Sequence, residues 1–404
     1  MRTDPAERRA ILHCDCNNFY ASVELLKYPE LRDKPVAVAG DPEGRHGIIL
    51  AKNMAAKKLG VQTAETIWQA KRKCPDLILL PPHHEEYEAM SKRINAIYLD
   101  FTDQVEPFSV DESWLDVTGS RRLFGSGEAI ADALRRRIRE ELGVTISVGV
   151  SDNRWWAKLG SDYKKPDATT VITRENVAAL LYPLPVRDML FVGGASAEVL
   201  TRHGVTTIGQ LAELSPALLE KWMGKQGLSL HQMVHGLDSA PIRRWGEAEP
   251  VKSVGNSMTY PHDLVGREAW HAGLMPLCDS VGARLRAQGL KCRTITVHVK
   301  DASLKVISRQ KTLAMPTSLT KQIFTEALAI LTACWPENAP IRLLSVTASA
   351  LCPEDEDQPA QLSFLTEVTP DDPRQARFEQ AVDRLRSRFG KDALQQGRVI
   401  RRNE

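Results

Sequence analysis

Three carboxylates in two short stretches are the residues of this sequence best suited to chemistry. Asp15 lies in the apolar run Ile11–Cys16, and Asp111 with Glu112 lies in Ser-Val-Asp-Glu-Ser, residues 109–113. If the two stretches meet, the three carboxylates repel one another unless a cation holds them together. Hard oxygen ligands with room left for water and phosphate suit Mg²⁺, and two such ions are the usual machinery of in-line phosphoryl transfer. The sequence therefore predicts a site with two Mg²⁺ ions.

The elements that must position these carboxylates can be predicted from local patterns. Residues 11–16 form a buried strand that runs into a helix, and residues 109–113 form the tip of a hairpin between β-rich runs. Adjacent carboxylates point to opposite faces on a regular strand, but they can converge at an irregular tip. The other predicted elements of this region are helices over 87–101, 128–142 and 153–161 and a strand over 144–150. This β-α-β-β-α-β order predicts a ferredoxin-like sheet.

Composition and length narrow the class of protein. The chain has 404 residues, 43% hydrophobic and 26% charged, which predicts a globular protein of about two to four domains. No apolar run reaches membrane-spanning length and the charged N-terminus is not a signal peptide, so we expect no membrane partner. Seven cysteines without a framework spacing predict reduced thiols and a cytoplasmic location.

The net charge of +2 hides an uneven distribution. Residues 242–350 hold 14 Lys and Arg against 8 Asp and Glu, an excess of six positive charges. A locally basic module is the electrostatic footprint of a surface that contacts a phosphate backbone. An ordinary solvated surface explains the same count, so the charge alone does not decide.

The two acidic stretches resemble the metal motifs of the Y-family DNA polymerases, the translesion enzymes of the bacterial polymerase IV (DinB) and UmuC kind. Asp15-Cys-Asn-Asn-Phe-Tyr-Ala-Ser-Val-Glu24 is similar to the first motif and Ser109-Val-Asp-Glu-Ser113 to the second. The resemblance extends over residues 11–350. It implies a DNA-templated DNA polymerase of low fidelity that adds dNTPs to a primer 3′-hydroxyl on primer–template DNA. Asp15, Asp111 and Glu112 would hold the two ions, with help from the Cys16 carbonyl.

The resemblance also assigns a nucleotide pocket. Tyr20 would be the steric gate that excludes a 2′-hydroxyl, because an added oxygen has no room in a close-packed pocket. Met54 and Lys57 replace the Tyr and Arg that contact the triphosphate in many relatives, so one hydroxyl contact is absent and a bidentate fork becomes a point charge. The predicted nucleotide-binding residues are Asn17, Asn18, Phe19, Tyr20, Lys57 and Lys165.

The resemblance divides the chain into named regions. Residues 1–24 and 81–180 would form the palm, 25–80 small α/β fingers, 181–240 a helical thumb with a helix-hairpin-helix, 241–250 a linker, 251–351 a β-α-β-β-α-β little finger and 352–404 a tail. Gly193 and Gly194 would shape the hairpin that grips DNA phosphates. The candidate phosphate contacts of the little finger are Arg284, Arg286, Lys291, Arg293, Lys305 and Arg309.

The tail carries two further predictions. The peptide of Gln361, Leu362, Phe364 and Leu365 resembles the motif by which bacterial polymerases dock on the sliding clamp. Phe378, Val382, Leu385 and Phe389 predict an amphipathic helix that starts near Pro373 and stops at Gly390. We expect a monomer apart from the clamp.

Two other functional classes are compatible with parts of this pattern. A non-catalytic adaptor of a mutagenic polymerase complex would bind DNA and clamp with the same fold, but relatives of that kind lack the acidic ligands that are present here. A nucleotide cyclase built on a ferredoxin-like sheet would not need residues 181–350 and would consume NTP without a template.

Overall fold

The structure is a computed structural model that describes residues 8–41, 47–237, 240–247, 249–354, 373–390 and 393–394. The described residues separate into two compact units, with the boundary between residues 247 and 249.

The first unit mixes strands and helices. Its strands are β1 (Ile11–Cys16), β2 (Val36–Ala39), β3 (Ile49–Lys52), β4 (Ile78–Leu80), β5 (Val105–Pro107), β6 (Glu112–Asp116), β7 (Ile146–Ser151) and β8 (Thr169–Val171). Its helices are α1 (Phe19–Glu24), α2 (Met54–Lys58), α3 (Ile67–Lys73), α4 (His84–Leu99), α5 (Arg121–Phe124), α6 (Gly127–Leu142), α7 (Arg154–Tyr163), α8 (Val177–Leu180), α9 (Gly194–Arg202), α10 (Ile208–Ala212), α11 (Pro216–Met223) and α12 (Lys225–Val234).

The main sheet of this unit has the strand order β5-β6-β1-β7-β8. The first four strands are all antiparallel and have the order predicted for a ferredoxin-like sheet, and β8 adds a parallel fifth strand beside β7. Every residue of β1 is buried, as a continuous apolar run at the centre of a sheet requires. The predicted stripe of α4, which includes Tyr87, Ile94 and Ile97, packs into the same core.

Two smaller parts of the first unit have their own cores. Strands β3-β2-β4 form a three-stranded sheet against α2 and α3, with Asn53 capping α2 through the Ala56 amide. Helices α8–α12 share an apolar cluster with Trp156 and Leu159 of α7. The three-stranded sheet lies within residues 25–80 and α9–α12 lie within residues 181–240, whereas α8 precedes residue 181.

Part of the predicted linker is packed against the main sheet. Ile242 is buried, and the Glu106 carboxylate of β5 accepts a hydrogen bond from the Arg243 amide at 2.9 Å and from its guanidinium at 3.1 Å. Composition could not reveal this, because a charged, proline-bounded stretch has the same appearance whether or not a distant carboxylate binds it.

The second unit holds a four-stranded antiparallel sheet with two long helices. Its elements are β9 (Ser253–Leu264), α13 (Arg267–Ala287), β10 (Leu290–Lys300), β11 (Val306–Thr317), α14 (Thr320–Cys334), β12 (Ile341–Pro353) and α15 (Pro373–Phe389). The predicted β-α-β-β-α-β order occurs, but the strand order is β11-β10-β12-β9, so the last strand lies between the first and the second. Although proline usually kinks or interrupts a helix, α13 continues through Pro276, and Trp270, Leu274 and Leu277 anchor it in the core.

The last helix forms where the sequence predicts it, but it docks with an unexpected face. Phe389 and Phe378 of the predicted apolar stripe are each 63% exposed, whereas Glu379 is 6% exposed. Glu379 accepts hydrogen bonds from the Thr320 amide at 2.8 Å and from Arg286 at 2.6 Å, so its carboxylate caps the N-terminus of α14. A pattern of apolar spacing alone cannot show that ion pairs will bury the neighbouring face of the helix.

We expect Gly149→Ala to destabilise the first unit by about 3 kcal/mol, because the new methyl group overpacks a close contact. A Cβ on this residue of β7 would overlap the Ala157 carbonyl oxygen of α7, and backbone cannot move aside cheaply. Chemical denaturation of the two variants measures the effect. Gly119→Ala is the matched control, since a Cβ there meets nothing within 4 Å; equal stability of both variants would contradict the packing argument.

Candidate active site

The three acidic residues lie where β1 and β6 run side by side. Asp15 is directly opposite Glu112 in the antiparallel register, and Ser147 of β7 flanks Asp15 on its other side. The Cys16 amide donates to the Asp111 carbonyl oxygen at 3.0 Å, so Asp111 lies beside the end of β1. Residues paired directly across two strands point to the same face, which brings the carboxylates of Asp15 and Glu112 together.

Burial and charge affect the Asp111 carboxyl. Burial raises its pKa, the Ser109 hydroxyl that donates to it at 2.6 Å partly offsets this, and the negative charges of Asp15 and Glu112 raise it further. Asp111 thus lies within electrostatic reach of Asp15 and Glu112, and added positive charge would relieve their repulsion.

Two lysines supply positive charge to this site. The Lys158 ammonium lies 3.1 Å from an Asp15 oxygen and 2.9 Å from a Glu112 oxygen, and the Lys165 ammonium lies 2.7 Å from the other Asp15 oxygen. Asp162 receives both lysines, at 3.3 and 2.8 Å. Although burial lowers the pKa of Lys158, the charges of Asp15, Asp162 and Glu112 raise it above its ordinary value.

Lys158 and Asp162 were missed by the sequence reasoning. Lys158 is one helical turn from Asp162 on α7, and α7 packs against β1 and β7. A sequence signal existed, because a lysine in a helix that must cover a carboxylate-bearing strand is a candidate counter-ion. Its choice of partner depends on the packing of α7 and could not be read from local spacing.

His13 lies under the acidic pair as a neutral group. The Ser161 hydroxyl donates to the Lys158 carbonyl at 2.7 Å and must therefore accept from His13 Nδ1 at 2.8 Å, which assigns the proton to Nδ1. Burial, followed by the charge of Lys158, lowers the pKa of His13 to about 3. The imidazole Nε2 is 3.5 Å from Glu112 and adds no charge to the site at neutral pH.

The donor set fits a divalent cation. The Lys158 ammonium is a stand-in ion, since it touches oxygens of both Asp15 and Glu112 and shows that they converge on one cation. Carboxylate oxygens are the ligands that Mg²⁺ prefers. Among the described residues, no three carboxyl, imidazole or thiol groups form a ready-made metal centre. A divalent ion would therefore displace the lysines as it binds.

The predicted nucleotide pocket is only partly assembled around these acids. Tyr20 stacks on Tyr87 with ring centroids 4.1 Å apart, and burial with the nearby charge of Asp111 raises the pKa of Tyr20. Phe19 is buried behind it. Lys165 reaches Asp15, whereas Lys57 is exposed on α2 and no described ion pair joins it to the acids.

The loop before α1 holds Asn17 and Asn18, two of the predicted nucleotide-binding residues. The Asn17 amide donates to the Thr145 carbonyl oxygen at 2.9 Å, and the Asn17 side chain bonds Ser147 and Thr145, so this residue is occupied as a structural clamp. Asn18 adopts a left-handed conformation with φ of 51° as the N-cap of α1. The first amides of α1, including that of Phe19, have no acceptor within the helix and remain candidates for phosphate oxygens.

The predicted DNA contacts fall into different environments. Gly193 is the N-cap of α9 and Gly194 its first residue, and a Cβ on either would meet nothing within 4 Å, so the backbone there is open to approach. In the second unit the Arg286 side chain is buried in ion pairs with Glu379 and Asp383. This corrects the prediction that Arg286 contacts phosphates, because its guanidinium is already bound within the protein.

Strand register shows on which side of the sheet the exposed Arg309 lies, and its phosphate contact stays a prediction. Arg309 of β11 lies opposite Val297, whose side chain is in the core under the helices, so Arg309 belongs to the helix-covered face. The neighbouring Lys311 of the same face indeed pairs with Glu326 of α14 at 2.6 Å. The remaining candidates lie on α13 (Arg284, exposed), in β10 (Lys291 and Arg293, part-exposed) and in the β10–β11 turn (Lys305, exposed).

The face of the second sheet away from the helices carries polar side chains, most of them short hydroxyl side chains. Thr296 is opposite Thr347, and His298 is opposite Ser345, which in turn is opposite Ser257. The alternation of these residues with Val297 and Val346 was the available sequence signal. The proposed clamp peptide, residues 361–365, lies outside the described residues.

Two family models match this chain. The impB/mucB/samB family model matches residues 14–162, and the model of the impB/mucB/samB family C-terminal domain matches residues 251–364. The first match spans β1, the hairpin of Asp111 and Glu112, and α7; the second spans the four-stranded sheet. No helix in the described part of the chain is long and apolar enough to cross a membrane.

Curated relatives and a solved structure extend the likeness over nearly the whole chain. The DNA polymerase IV of Acetivibrio thermocellus is 45% identical over 97% of this chain and 98% of its own length, and that of Moorella thermoacetica is 38% identical over 95% and 94%. DNA polymerase IV 1 of Bacillus subtilis is 35% identical over 99% and 95%. A solved Y-family DNA polymerase chimera matches with a TM-score of 0.73 and 25% identity, over 84% of this chain and 98% of the chimera.

The fold is therefore that of the Y-family DNA polymerase class. Within this class, the chain belongs to the DNA polymerase IV family. It is a DNA-directed DNA polymerase of translesion synthesis that takes a DNA template and nucleotide substrates and depends on a divalent metal. The adaptor alternative is not favoured, and the cyclase alternative does not account for the likeness beyond residue 180.

We expect Lys158→Met to tighten Mn²⁺ binding roughly 10-fold, because the ion no longer competes with an ammonium for Asp15 and Glu112. The same change should lower the melting temperature in EDTA, where the two carboxylates lose their shared counter-ion. Calorimetric Mn²⁺ titration and thermal unfolding measure the two effects.

Lys164→Met is the matched control for this change, since Lys164 is the neighbouring exposed lysine at the end of α7. Weaker Mn²⁺ binding by Lys158→Met than by the control would show that Lys158 does not compete with the metal.

Proposed function

We propose that Asp15, Asp111 and Glu112 hold two Mg²⁺ ions for nucleotidyl transfer, with Asp15 shared between them and the Cys16 carbonyl assisting. Bound there, the ions would activate the primer 3′-hydroxyl and stabilise the departing pyrophosphate. The observation that supports this proposal is the register of β1 and β6, which places Asp15 directly opposite Glu112, so that both carboxylates contact the Lys158 ammonium.

The residues around the acids have distinct proposed roles. Lys165, which pairs with Asp15 in the free protein, would bind the triphosphate of an incoming dNTP. The first amides of α1 would donate hydrogen bonds to the triphosphate oxygens. Tyr20 would lie against the sugar, held in place by its stack on Tyr87. Lys57 stays a candidate triphosphate contact on α2, because a flexible lysine can reach a substrate it does not touch in the free protein.

The regions that hold DNA are proposed from the open surfaces. The glycine turn before α9 would contact phosphates, and the hydroxyl-bearing face of the second sheet would follow the duplex backbone. The proposed phosphate contacts of this unit remain Arg284, Lys291, Arg293, Lys305 and Arg309. Short side chains allow the close approach of a backbone, and they do not select a sequence. The palm, fingers, thumb and little finger boundaries remain those proposed from the sequence.

We also propose that the enzyme works as a cytoplasmic monomer that docks on the sliding clamp through residues 361–365. The position of this peptide in the sequence, after the last strand β12, supports clamp docking. The seven cysteines, all unpaired in the structure, support a reducing compartment. All seven are described, and burial raises the pKa of several of them, which fits inert packed thiols.

Primer extension tests the acidic site. We expect Asp111→Ala to lower dNTP incorporation by about 10³-fold, since a proposed ligand of the metal ions that stabilise the transferring phosphate is removed. Glu140→Ala, on the exposed face of α6, is the control that keeps the charge change but not the position. Equal incorporation by Asp111→Ala and the control would refute the assignment.

Ribonucleotide exclusion tests Tyr20. We expect Tyr20→Ala to reduce the preference for dNTP over NTP roughly 100-fold, because removal of the ring creates space for a 2′-hydroxyl. Tyr20→Phe keeps the ring and should retain the preference. The ratio of single-nucleotide incorporation efficiencies measures the change, and an unaltered ratio in Tyr20→Ala would assign the gate elsewhere.

A further inference from the structure

Helix α15 docks on the second unit through charged side chains. Arg286 of α13 donates to Glu379 and to Asp383, each at 2.6 Å, and Arg386 pairs with Asp279 of α13 at 2.7 Å. Glu379 also bonds the first amides of α14. These contacts fix which side of α15 faces the protein.

The docking segregates the charge of α15. Its two acidic residues, Glu379 and Asp383, are both turned inward and paired, and Arg386 is paired beside them. The other four arginines of the helix are exposed: Arg374, Arg377, Arg384 and Arg388. Their spacing of three, seven and four residues places them on one stripe, because side chains three, four and seven apart share a helix face.

An apolar stripe runs directly beside the arginine stripe. Phe378, Leu385 and Phe389 are exposed by 63%, 44% and 63%, each one or four positions from an arginine of the stripe. Phe378 and Leu385 also border a cavity of about 500 Å³, which Met275 and Phe324 line from the other side. The outer surface of α15 therefore alternates guanidinium groups with aromatic and aliphatic side chains.

We propose that this outer face of α15 binds single-stranded nucleic acid, at a site separate from the acidic residues of the first unit. Arginines would contact successive phosphates, and unpaired bases would stack on Phe378 and Phe389, as in sequence-tolerant single-strand sites. A duplex does not offer the faces of its bases, so the aromatic stripe discriminates against it. The helix is about 26 Å long at 1.5 Å per residue, which matches the site of a short oligonucleotide.

The same side chains are poorly arranged for the alternative anionic partner, a membrane surface. A helix that lies in a bilayer sinks its apolar side to about 5–10 Å. Here the apolar stripe is next to the ion-paired side, which faces α13 and α14. These two helices would limit how deeply the stripe could enter a bilayer. Binding to vesicles is therefore an outcome of the test and not the proposal.

The experiment uses the full chain and fluorescein-labelled dT20, with saturating unlabelled primer–template to fill the polymerase site. Anisotropy should show binding by the wild type. Arg377→Gln/Arg384→Gln should weaken it about 10-fold and reduce the slope of log K against log salt by about 1.4, since two phosphate contacts of about 0.7 each are lost.

A second variant separates stacking from charge. Phe378→Ala/Phe389→Ala should also weaken dT20 binding about 10-fold but leave the salt slope unchanged. Arg136→Gln/Arg267→Gln removes two exposed arginines elsewhere and should bind as the wild type does. Since none of these residues touches the inward ion pairs, melting temperatures should stay at the wild-type value.

Unchanged dT20 affinity in both α15 variants would overturn the proposal. So would sedimentation with phosphatidylserine vesicles in the absence of dT20 binding. Primer extension by the same variants should match the wild type, so a failure of the polymerase assignment would appear in that assay and not in the anisotropy.

Discussion

The register between β1 and β6 is the constraint on which the rest of the first unit depends. It sets Asp15 against Glu112 across two buried strands, where like charges are costly unless a cation lies between them. The Lys158 ammonium fills that position because α7 lies directly on β7, and α7 can do so because Gly149 has no side chain. Close backbone packing at Gly149 thus allows Lys158 to lie between Asp15 and Glu112.

Asp162 makes this arrangement reversible. Lys158 and Lys165 each already touch Asp162, the more exposed carboxylate, as well as Asp15. If a divalent ion bound Asp15 and Glu112 as proposed, both lysines would keep a negative partner and neither would be left as an unpaired buried charge. The neutral imidazole of His13 keeps this exchange free of a further positive charge. A polymerase that works only when metal and nucleotide arrive can rest in this way without unfolding its acidic strand pair.

Sequence patterns were enough to predict the main sheet and to single out its three acidic residues. They did not predict which distant residues pair with or pack against one another. The strand of residues 11–16, the α4 stripe and the ferredoxin-like order follow from strong local periodicity, and the family motifs marked Asp15, Asp111 and Glu112. The pairing of Lys158, the docking of Ile242 and the burial of Arg286 depend on residues between 46 and 143 positions away in the chain. The face on which Arg309 lies could not be predicted either, because side-chain direction depends on strand pairing, which composition does not reveal.

The cap that Glu379 places on α14 has a consequence for the design of shorter fragments. A fragment that ends after β12 would keep the sheet and both long helices, but it would leave the Arg286 guanidinium and the first amides of α14 without their carboxylate. What looks like a dispensable appendage is thus a structural member of the domain it follows, and crystallisation or binding studies on such a fragment would describe an altered surface.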